Sequence, residues 1–423
     1  KFGAKWKTIL DGMSKSISST TPSLIILLLI GALAGTWLLS GIVPAMIYYG
    51  LQILNPTIFL FATAIITAIV SLATGSSWST IATIGIALLG IGQALGFPTG
   101  LIGGAIISGA YFGDKMSPLS DTTNLAPAMA GTDLFTHIKY MMYTTIPSFA
   151  ITLIIFLIIG FTYTTSGTQD ISELLTAISN SFNVSGWLFL VPVLIIALII
   201  KKIPAIPALL AGTLLGGIFA IIFQPEVVMS ITNAQSLNLS SAYMAVINAM
   251  GGDISITTEN EMINKLLSTS GMAGMLNTIW LIICAMIFGG AMEATGLLKR
   301  VAEPIIEYAD STGSLIATTA GTCIFFNITA SDQYLSVVVP GRMFIDTYKE
   351  KGLAPENLSR TLEDSGTVTS VLIPWNTCGA TQSAVLGVAT FAYLPFCFFN
   401  LISPLMTIAY GYLGIKIKKL ENK

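Results

Sequence analysis

Four acidic residues lie within apolar stretches of the chain, where a charge is costly and usually functional. They are Asp114, Asp121, Asp332 and Asp364, and each is surrounded by Ser, Thr, Asn and Gly. Glycines and prolines, which interrupt helices, lie close to them. This composition is typical of a discontinuous helix, whose unwound carbonyls and hydroxyls can replace the water around a small cation such as Na⁺.

The chemistry of these acids depends on their burial. Removing a carboxylate from water penalises its charged form, so the group binds either a proton or a cation. If alternating access requires one of the two to be bound, the result is exchange of Na⁺ for H⁺. Each acid also has a structural interpretation, as part of a salt bridge or a helix cap. That alternative is strongest for Asp364, which follows Glu363 in a stretch that can begin at the inner surface, and for Asp114, which precedes Lys115.

Three other side chains that carry or can acquire positive charge offer different chemistry. Arg342 can hold an organic carboxylate through two hydrogen bonds, although an ion pair or a side chain reaching the cytoplasm is favoured. Arg360 is interpreted as a charge of a cytoplasmic loop. His137, the single His, is interpreted as a helix-end residue beside Lys139, with a pH sensor as the alternative. The four Cys form no Cys-x-x-Cys pair, which disfavours a metal site or a disulfide framework.

The composition places these residues in a membrane protein. Hydrophobic residues make up 53% of the 423 positions, charged residues make up 9%, and the mean hydropathy is +0.80. Soluble domains carry about 25% charged residues, so a soluble enzyme and a disordered protein are excluded. The net charge of -2 excludes a nucleic-acid binder. No Gly-x-x-x-x-Gly-Lys-Ser/Thr motif is present, which excludes an ATP-driven pump, and no cofactor is expected beyond the transported ions.

Apolar runs long enough to cross a bilayer predict about twelve transmembrane helices. They occupy residues 21–49, 56–74, 78–96, 98–125, 140–160, 184–200, 204–223, 273–296, 312–330, 332–348, 364–388 and 391–415. Basic residues are concentrated at both ends of the chain and are scarce in 161–183 and 224–272. The positive-inside rule therefore places both termini in the cytoplasm and these two segments outside. The first residue is Lys1 rather than Met, so further sequence is expected to precede it.

The spans divide into two blocks of opposite orientation. Residues 21–160 hold five spans that begin inside, and residues 273–415 hold five spans that begin outside. Between them, 161–272 forms a connecting region with two helices and external loops, while 1–20 and 416–423 are cytoplasmic segments. We therefore predict an all-α polytopic membrane protein with two inverted-topology five-helix repeats that contain broken helices or re-entrant hairpins. Gly-x-x-x-Gly pairs predict close helix contacts within these blocks.

Several motifs resemble those of the NhaC-type Na⁺/H⁺ antiporter family. The most specific is Gly109-Ala-Tyr-Phe-Gly-Asp-Lys-Met-Ser-Pro-Leu-Ser-Asp-Thr-Thr-Asn-Leu-Ala126. The others are Thr74-Gly-Ser-Ser-Trp-Ser-Thr, Asp332-Gln-Tyr, Pro340-Gly-Arg-Met, Leu358-Ser-Arg-Thr-Leu-Glu-Asp-Ser-Gly366 and Pro374-Trp-Asn-Thr-Cys-Gly379. The resemblance covers nearly the whole chain and implies sodium–proton exchange across a bacterial cytoplasmic membrane. Close relatives in that family exchange malate with protons for lactate with sodium, or are linked to amino-acid uptake.

The resemblance also implies which residues act. It extends a role to the residues within matching motifs, which are Ser76, Ser77, Asp114, Asp121, Asn124, Asp332, Asp364 and Asn376. Asp332 and Asp121 are the leading cation or proton groups, and Na⁺ is expected at these two and Ser77. Neutral oxygens that bind the cation or orient the acids are expected from Ser76, Ser77, Ser120, Thr122, Asn124, Asn327, Ser331, Asn376 and Thr377.

Exchange of Na⁺ for H⁺ is the favoured function, because the acids lie among neutral oxygens and no basic cage for an anion is evident. The alternative is a Na⁺- or H⁺-coupled carrier of a small organic acid or amino acid. In that case Arg342, Asn327, Asn376 and the helix N-termini near Pro118 and Pro374 would hold the carboxylate. The expected partners are Na⁺, H⁺ and the lipid bilayer, with a homodimer left open.

An intramembrane aspartyl protease is a third possibility from a different class. Such an enzyme needs two intramembrane Asp residues that share a proton. The stretch before Asp114 resembles its Gly-x-Gly-Asp signature only superficially, because Tyr111 and Phe112 stand where Gly-x is required. We therefore do not expect an enzyme.

Overall fold

The structure, a computed structural model, describes residues 5–163, 171–256, 264, 267–298, 300 and 310–420. Within these ranges the chain is almost entirely helical, as predicted. Lys1, Lys265 and Lys299, which belong to the charge pattern used to orient the spans, lie outside the described residues.

The first part of the chain contains twelve described helices. They are α1 (Trp6–Leu39), α2 (Ile42–Ile53), α3 (Pro56–Thr74), α4 (Ser77–Ala94), α5 (Thr99–Met116), α6 (Asp121–Ala130), α7 (Leu134–Thr162), α8 (Ile171–Ser181), α9 (Gly186–Ile200), α10 (Ala205–Phe223), α11 (Pro225–Thr232) and α12 (Leu239–Gly251). Helix α4 contains a π-helical turn at Ile81–Gly85, and α9 begins with a 3-10 turn at Gly186–Phe189.

The second part begins with two short antiparallel strands, β1 (Ile254–Ser255) and β2 (Ser268–Thr269), which pair Ile254 with Thr269. The described helices that follow are α13 (Ala273–Ala294), α14 (Thr312–Thr329), α15 (Gln333–Glu350), α16 (Pro355–Leu362), α17 (Thr377–Leu386), α18 (Thr390–Phe396) and α19 (Phe398–Leu413). A π-helical turn at Glu363–Thr367 continues α16, and a 3-10 turn at Ser370–Leu372 precedes α17.

Six of the described helices are long and apolar enough to cross a bilayer, namely α1, α3, α4, α7, α10 and α13. The number rises to eight if the bent pairs α8–α9 (84°) and α18–α19 (56°) each form one span. This confirms a helical, multi-pass membrane protein, while twelve crossings and the inverted repeats stay predictions. Helices α5, α14 and α15 have 18 residues each, but polar residues such as Asp114, Asn327 and Arg342 lower their hydropathy.

The first predicted span has the wrong limits. The apolar run suggested one element over 21–49, whereas α1 begins at Trp6 and ends at Leu39. Gly41 follows with a φ of 77°, and α2 begins at Ile42. A positive φ is adopted readily by glycine and cannot continue a right-handed helix, so the interruption that Gly41 indicates in this apolar run is confirmed.

Two other predicted spans are broken beside acidic or amide residues. The run 98–125 is interrupted after Met116, and α6 begins only at Asp121. The run 364–388 is interrupted before Asn376, which caps α17. Broken helices were predicted from the composition of these segments, and both interruptions place polar side chains at the N-terminus of a new helix.

Glycines allow α3 and α5 to pack closely. A Cβ atom on Gly109 would lie 2.1 Å from the carbonyl oxygen of Ala64, and one on Gly113 would lie 2.3 Å from that of Ala68. The predicted close helix contact of this Gly-x-x-x-Gly pair is therefore confirmed. The contact fixes the position of Asp114, the next residue of α5.

Helix α1 packs against α10 and α13. Residues of these three helices form one side of a large cavity, and the α5–α6 connection with the start of α15 forms another. The fold thereby brings segments from both halves of the chain around one space.

Candidate functional site

The cavity has a volume of about 1360 Å³ and polar side chains from both halves of the chain line it. Five acidic residues line it, namely Asp11, Asp114, Asp121, Glu293 and Asp332, and three of the four predicted acids, Asp114, Asp121 and Asp332, are among them. The neutral polar residues that line it include Ser76, Ser79, Ser120, Thr122, Asn124, Gln333 and Thr377. Among the described residues, no group of three or more His, Cys, Asp or Glu side chains is arranged to hold a metal ion. The three acids therefore share a cavity without converging on one point.

Asp114 is the acid with the most extensive contacts in this set. Its Oδ2 accepts hydrogen bonds from the hydroxyl of Ser77 (2.6 Å) and from the backbone N–H of Ser77 (3.1 Å). Ser77 is the first residue of α4, and Ser76 caps that helix by accepting from the N–H of Ser79 (3.2 Å). Gly75, with a φ of 71°, turns the chain from α3 into this cap. A carboxylate at a helix N-terminus is stabilised by such donors and by the helix dipole.

The start of α6 brings a second acid to the cavity. Asp121 is the first residue of this helix and is exposed, so it is not buried in an apolar span as its sequence context suggested. The hydroxyl oxygens of Ser120 and Thr122 lie 3.2 Å apart. The side-chain amide of Asn124 donates to the carbonyl oxygen of Ser120 (2.6 Å), which fixes the irregular segment before the helix.

Asp332 lies at the N-terminus of α15 and is 9% exposed. Its Oδ1 accepts a hydrogen bond from the N–H of Leu335 (2.9 Å), so it also caps the helix. Ser331 before it has a φ of 60°, and its carbonyl oxygen accepts from the N–H of Thr377 (3.0 Å). The break before α15 is therefore tied to the break before α17.

Asn327 and Asn376 lie behind the cavity and connect these breaks. The side-chain amide of Asn376 donates to the backbone and side-chain oxygens of Asn327, both at 3.1 Å. The amide of Asn327 donates in turn to the carbonyl oxygen of Gly366 (2.7 Å). These two residues brace the broken segments and do not line the cavity.

A buried ion pair joins Lys115 to Asp364. Neither side chain is exposed, Lys115 Nζ also donates to the hydroxyl of Ser403 (3.0 Å), and Thr144 donates to Asp364 Oδ2 (2.8 Å). Asp364 does not line the cavity. Asp364 therefore differs from the other three predicted acids. It lies away from the cavity, and its carboxylate is neutralised by Lys115.

Glu363 lies next to Asp364 but has different partners. Its Oε1 accepts a hydrogen bond from Thr122 (3.1 Å) and its Oε2 accepts one from Thr367 (2.8 Å). The side chain is fully buried. Within the described part of the chain, no Lys, Arg or His nitrogen lies within 4.0 Å of this carboxylate.

The sequence profile of the Na⁺/H⁺ antiporter family matches residues 109–415, a range that contains all four predicted acids and the ion pair. The chain belongs to the Na⁺/H⁺ antiporter family. It is 40% identical over 417 residues to "Na(+)/H(+) antiporter NhaC" of Alkalihalophilus pseudofirmus, an alignment covering 99% of this chain and 87% of the relative.

Other relatives have different names. The chain is 38% identical to "Malate-2H(+)/Na(+)-lactate antiporter" of Bacillus subtilis, over 100% of this chain and 87% of that protein. It is 34% identical to "Arginine/ornithine antiporter ArcD" of Halobacterium salinarum, over 98% of this chain and 84% of that protein. Membership of the antiporter family is thus shown, while the relatives differ in what their names say they transport.

The predicted residues of this antiporter-family chain fall into two groups. Those that line the cavity are Asp114, Asp121, Asp332, Ser76, Ser120, Thr122, Asn124, Thr377 and Arg342. Those behind it are Ser77, Asn327, Ser331, Asn376 and Asp364. Of the three residues expected to bind Na⁺, Asp332 and Asp121 line the cavity. Ser77 does not line it, but its hydroxyl donates a hydrogen bond to Asp114, which does.

Arg342 lies on α15, is exposed and lines the cavity. Among the described residues it has no carboxylate within 4.0 Å, so the favoured ion pair is not formed there. Its position leaves the guanidinium free to meet an anion or to extend toward the membrane surface.

One interpretation of a charged residue in this antiporter-family chain was wrong. Arg360 is not a loop residue but a fully buried residue of α16, with its guanidinium 4.7 Å from the ring centre of Tyr140. Its Nη1 donates to the carbonyl oxygen of Lys416 in the C-terminal segment (3.2 Å). His137 lies in the first turn of α7, as predicted, and is buried with its Nδ1 2.8 Å from the hydroxyl oxygen of Ser359.

Sequence reasoning did not assign Lys115, Gln333, Thr144 and Ser403 to the site. The sequence did contain an indication for Lys115, because a basic residue near the end of a long apolar run must either have a buried partner or reach water. The sequence contained no such indication for Thr144 and Ser403, because Thr and Ser residues occur throughout membrane helices. Their role follows only from contacts between helices that are far apart in sequence.

Proposed function

We propose that this protein is a secondary transporter that exchanges Na⁺ for H⁺ by alternating access. The observation that carries the proposal is that Asp114, Asp121 and Asp332, from two broken segments in different halves of the chain, line one cavity. Two relatives at 40% and 37% identity are named as Na⁺/H⁺ antiporters, which supports the same activity.

The cavity offers the ligands that a dehydrated Na⁺ requires. Carboxylate, hydroxyl and carbonyl oxygens suit hard cations, and helix breaks expose such oxygens. In the proposed site one acid neutralises the ion while hydroxyls of residues such as Ser76, Ser120 and Thr377 replace its water. A proton and a sodium ion then compete for the same region, since either one neutralises buried negative charge. No cofactor is required in this scheme.

We further propose a location in the bacterial cytoplasmic membrane with both termini inside. Lysines at both ends of the described chain, including Lys5, Lys7 and Lys418, support this orientation. Two inverted repeats would then place the α5–α6 break and the α15 and α17 breaks at equivalent depths. That arrangement accounts for the meeting of the three acids in one cavity.

A second candidate function is transport of a small organic acid or amino acid coupled to Na⁺ or H⁺. The cavity volume of about 1360 Å³ favours it, because one water molecule occupies only about 30 Å³ of liquid. Arg342, Lys15 and Lys202 line the same cavity and provide positive charge for a carboxylate. Relatives named for malate and lactate or for arginine and ornithine add support to this candidate.

Sealed liposomes with an internal pH dye and an imposed pH gradient test both candidates. Proton flux on addition of Na⁺ alone, absent with choline and absent in Asp332→Asn, would support sodium–proton exchange. Asp346→Asn is the matched control, since Asp346 lies on the same helix, is exposed and does not line the cavity. If flux requires malate, lactate or an amino acid as well and is lost in Arg342→Gln, the organic-solute candidate replaces the first.

A further inference from the structure

The cavity ends partway along α1. Its lining on this helix extends from Thr8 to Ile26, whereas residues of the second half, such as Leu27, Ile30 and Leu33, are buried in the apolar core. The cavity is therefore reached from the side of the protein on which α1 begins. Packed residues beyond Ile26 close it toward the opposite side. Alternating access, which is part of the function proposed above, requires this closed region to open.

Helix α17 leads from the cavity into the closed region. Its first residue, Thr377, lines the cavity, and the thiol of Cys378 donates a hydrogen bond (3.2 Å) to the side-chain oxygen of Gln333, which also lines it. Residues four positions apart lie on the same face of a helix, so Thr381 follows Thr377 in the direction away from the cavity. Gln382 follows Cys378 in the same way. Neither Thr381 nor Gln382 lines the cavity.

Thr381 and Gln382 are fully buried and lack polar partners. Among the described residues, no group hydrogen-bonds to the hydroxyl of Thr381 or to either polar atom of the Gln382 amide. The buried amides of Asn327, Gln333 and Asn376, by contrast, each use both their nitrogen and their oxygen. Burial of an amide without hydrogen bonds is unfavourable, so Gln382 destabilises this conformation. A polar contact made in a second conformation accounts for such a side chain.

The helices that contact α17 include one with an irregular turn. Helix α17 packs against α1, α13 and the π-helical turn of α4 at Ile81–Gly85, all of whose residues are buried. Turns of this kind interrupt the regular hydrogen bonding of a helix and occur frequently at functional sites. Helix α4 also starts at the cavity, where Trp78 and Ser79 line it. Two helices in contact thus lead from the cavity into the closed region, and one of them carries unpaired polar groups.

We propose that Gln382 and Thr381 line the second half of the transport path, which opens between α17 and α4 when the present cavity closes. The proposal rests on the alternating access proposed above and adds the route by which the ion leaves. In that conformation the amide oxygen of Gln382 and the hydroxyl oxygen of Thr381 contact a partly hydrated monovalent cation. Neutral oxygens suit this step, because they replace water around the ion without holding it as tightly as a carboxylate.

The first test measures from which side of the membrane single cysteines react with a membrane-impermeant maleimide. The parent protein carries Cys284→Ser and Cys378→Ser, and its own labelling is subtracted. Asp11→Cys, an exposed position that lines the cavity, should react from one side only. Gln382→Cys should react from the opposite side only. Thr213→Cys, at a fully buried position of α10 whose hydroxyl donates to the carbonyl oxygen of Leu209 (2.9 Å), is the control and should react from neither side.

The second test compares two buried glutamines. Gln382→Leu removes an unpaired amide, so the unfolding temperature in detergent should stay the same or rise. The initial rate of Na⁺-driven proton flux should fall about tenfold, the effect of losing one polar contact to a charged group. Gln224 is the matched control, because its amide bonds to the N–H of Asn183 (2.9 Å) and the carbonyl oxygen of Ser40 (3.2 Å). Gln224→Leu should unfold at a lower temperature and keep its rate per folded protein.

The outcomes separate this proposal from the proposed function. If the wild-type protein shows Na⁺-driven proton flux but Gln382→Cys reacts from neither side, or from the same side as Asp11→Cys, the path is wrong and sodium–proton exchange stands. If the labelling is as expected and the wild-type protein shows no such flux, sodium–proton exchange is wrong and the path serves another solute. Wild-type flux in Gln382→Leu, or a lower unfolding temperature of that variant, would overturn the role of Gln382.

Discussion

Lys115 and Asp364 form an ion pair in which neither side chain is exposed to solvent. The pair connects the end of α5 to the π-helical turn after α16, so it ties the two halves of the chain together beside the cavity. Ser403 hydrogen-bonds to both partners, at 3.0 Å from Lys115 Nζ and 3.2 Å from Asp364 Oδ1. The charges are thus neutralised locally, which leaves the cavity acids free to respond to ions.

Removal of one partner of this pair is expected to destabilise the protein strongly. Lys115→Met leaves the Asp364 carboxylate buried without a cation, a change that costs about 3–5 kcal/mol. The measurement is thermal unfolding in detergent. Lys349→Met is the control, because Lys349 is exposed near the end of α15 and, among the described residues, has no carboxylate within 4.0 Å. Equal unfolding temperatures for the two variants would contradict this prediction.

Loss of the Ser77 hydroxyl is expected to weaken sodium binding without altering the fold. Ser77→Ala removes the 2.6 Å hydrogen bond to Asp114 and leaves the backbone N–H bond in place. Hydrogen bonds to charged groups contribute about 1.5–3 kcal/mol, so the apparent sodium affinity should fall about tenfold or more. Ser40→Ala removes a buried hydroxyl that donates to the carbonyl oxygen of Trp37 and does not line the cavity, so it should leave the sodium dependence of proton flux unchanged. Similar affinities in both variants would exclude a role for the Ser77–Asp114 contact.

Asp332 has two separable roles, as a cap of α15 and as a cavity carboxylate. Asn caps helices about as well as Asp, so Asp332→Asn should unfold at the wild-type temperature while proton flux is lost. Asp332→Ala should lose flux and also about 1 kcal/mol of stability, because the N–H of Leu335 loses its acceptor. Wild-type flux in Asp332→Asn would show that Asp332 is only a cap.

Close packing of α3 and α5 should be sensitive to a single methyl group. Gly113→Ala would place a Cβ 2.3 Å from a carbonyl oxygen, so α5 must shift and move Asp114 with it. We expect a lower unfolding temperature and reduced proton flux. Gly321→Ala on α14 is the control, because no atom lies within 4 Å of its added Cβ. That variant should be as stable as the wild-type protein or more so, since alanine restricts the unfolded chain. If both variants unfolded alike, the packing argument would fail.

The kind of chemistry at the site, acids and neutral oxygens beside helix breaks, could be predicted from residue types and their neighbours in the sequence. Low charge content identified a membrane protein, Pro118 and Ser120 beside Asp121 indicated the helix break there, and Pro374 indicated the break before Asn376. These features can be recognised without knowledge of the fold, because a charge within an apolar stretch is costly whatever the surrounding structure is. The limits of the spans were less well predicted: α1 begins at Trp6, about 15 residues before the apolar run, because a helix can continue through a polar segment that hydropathy leaves out.

Only the tertiary structure decided which acids share a cavity and which are already neutralised. Asp114, Asp121, Asp332 and Asp364 look alike in sequence, but Lys115 pairs with Asp364 from 249 positions away. Glu363 and Asp364 are adjacent and yet differ in every partner, since neighbouring residues of a helical turn point in different directions. His137 contacts Ser359, and Arg360 contacts Tyr140 and the carbonyl oxygen of Lys416, so their burial involves segments that are distant in sequence. Such relationships depend on contacts between distant segments, and no local pattern of residues contains them.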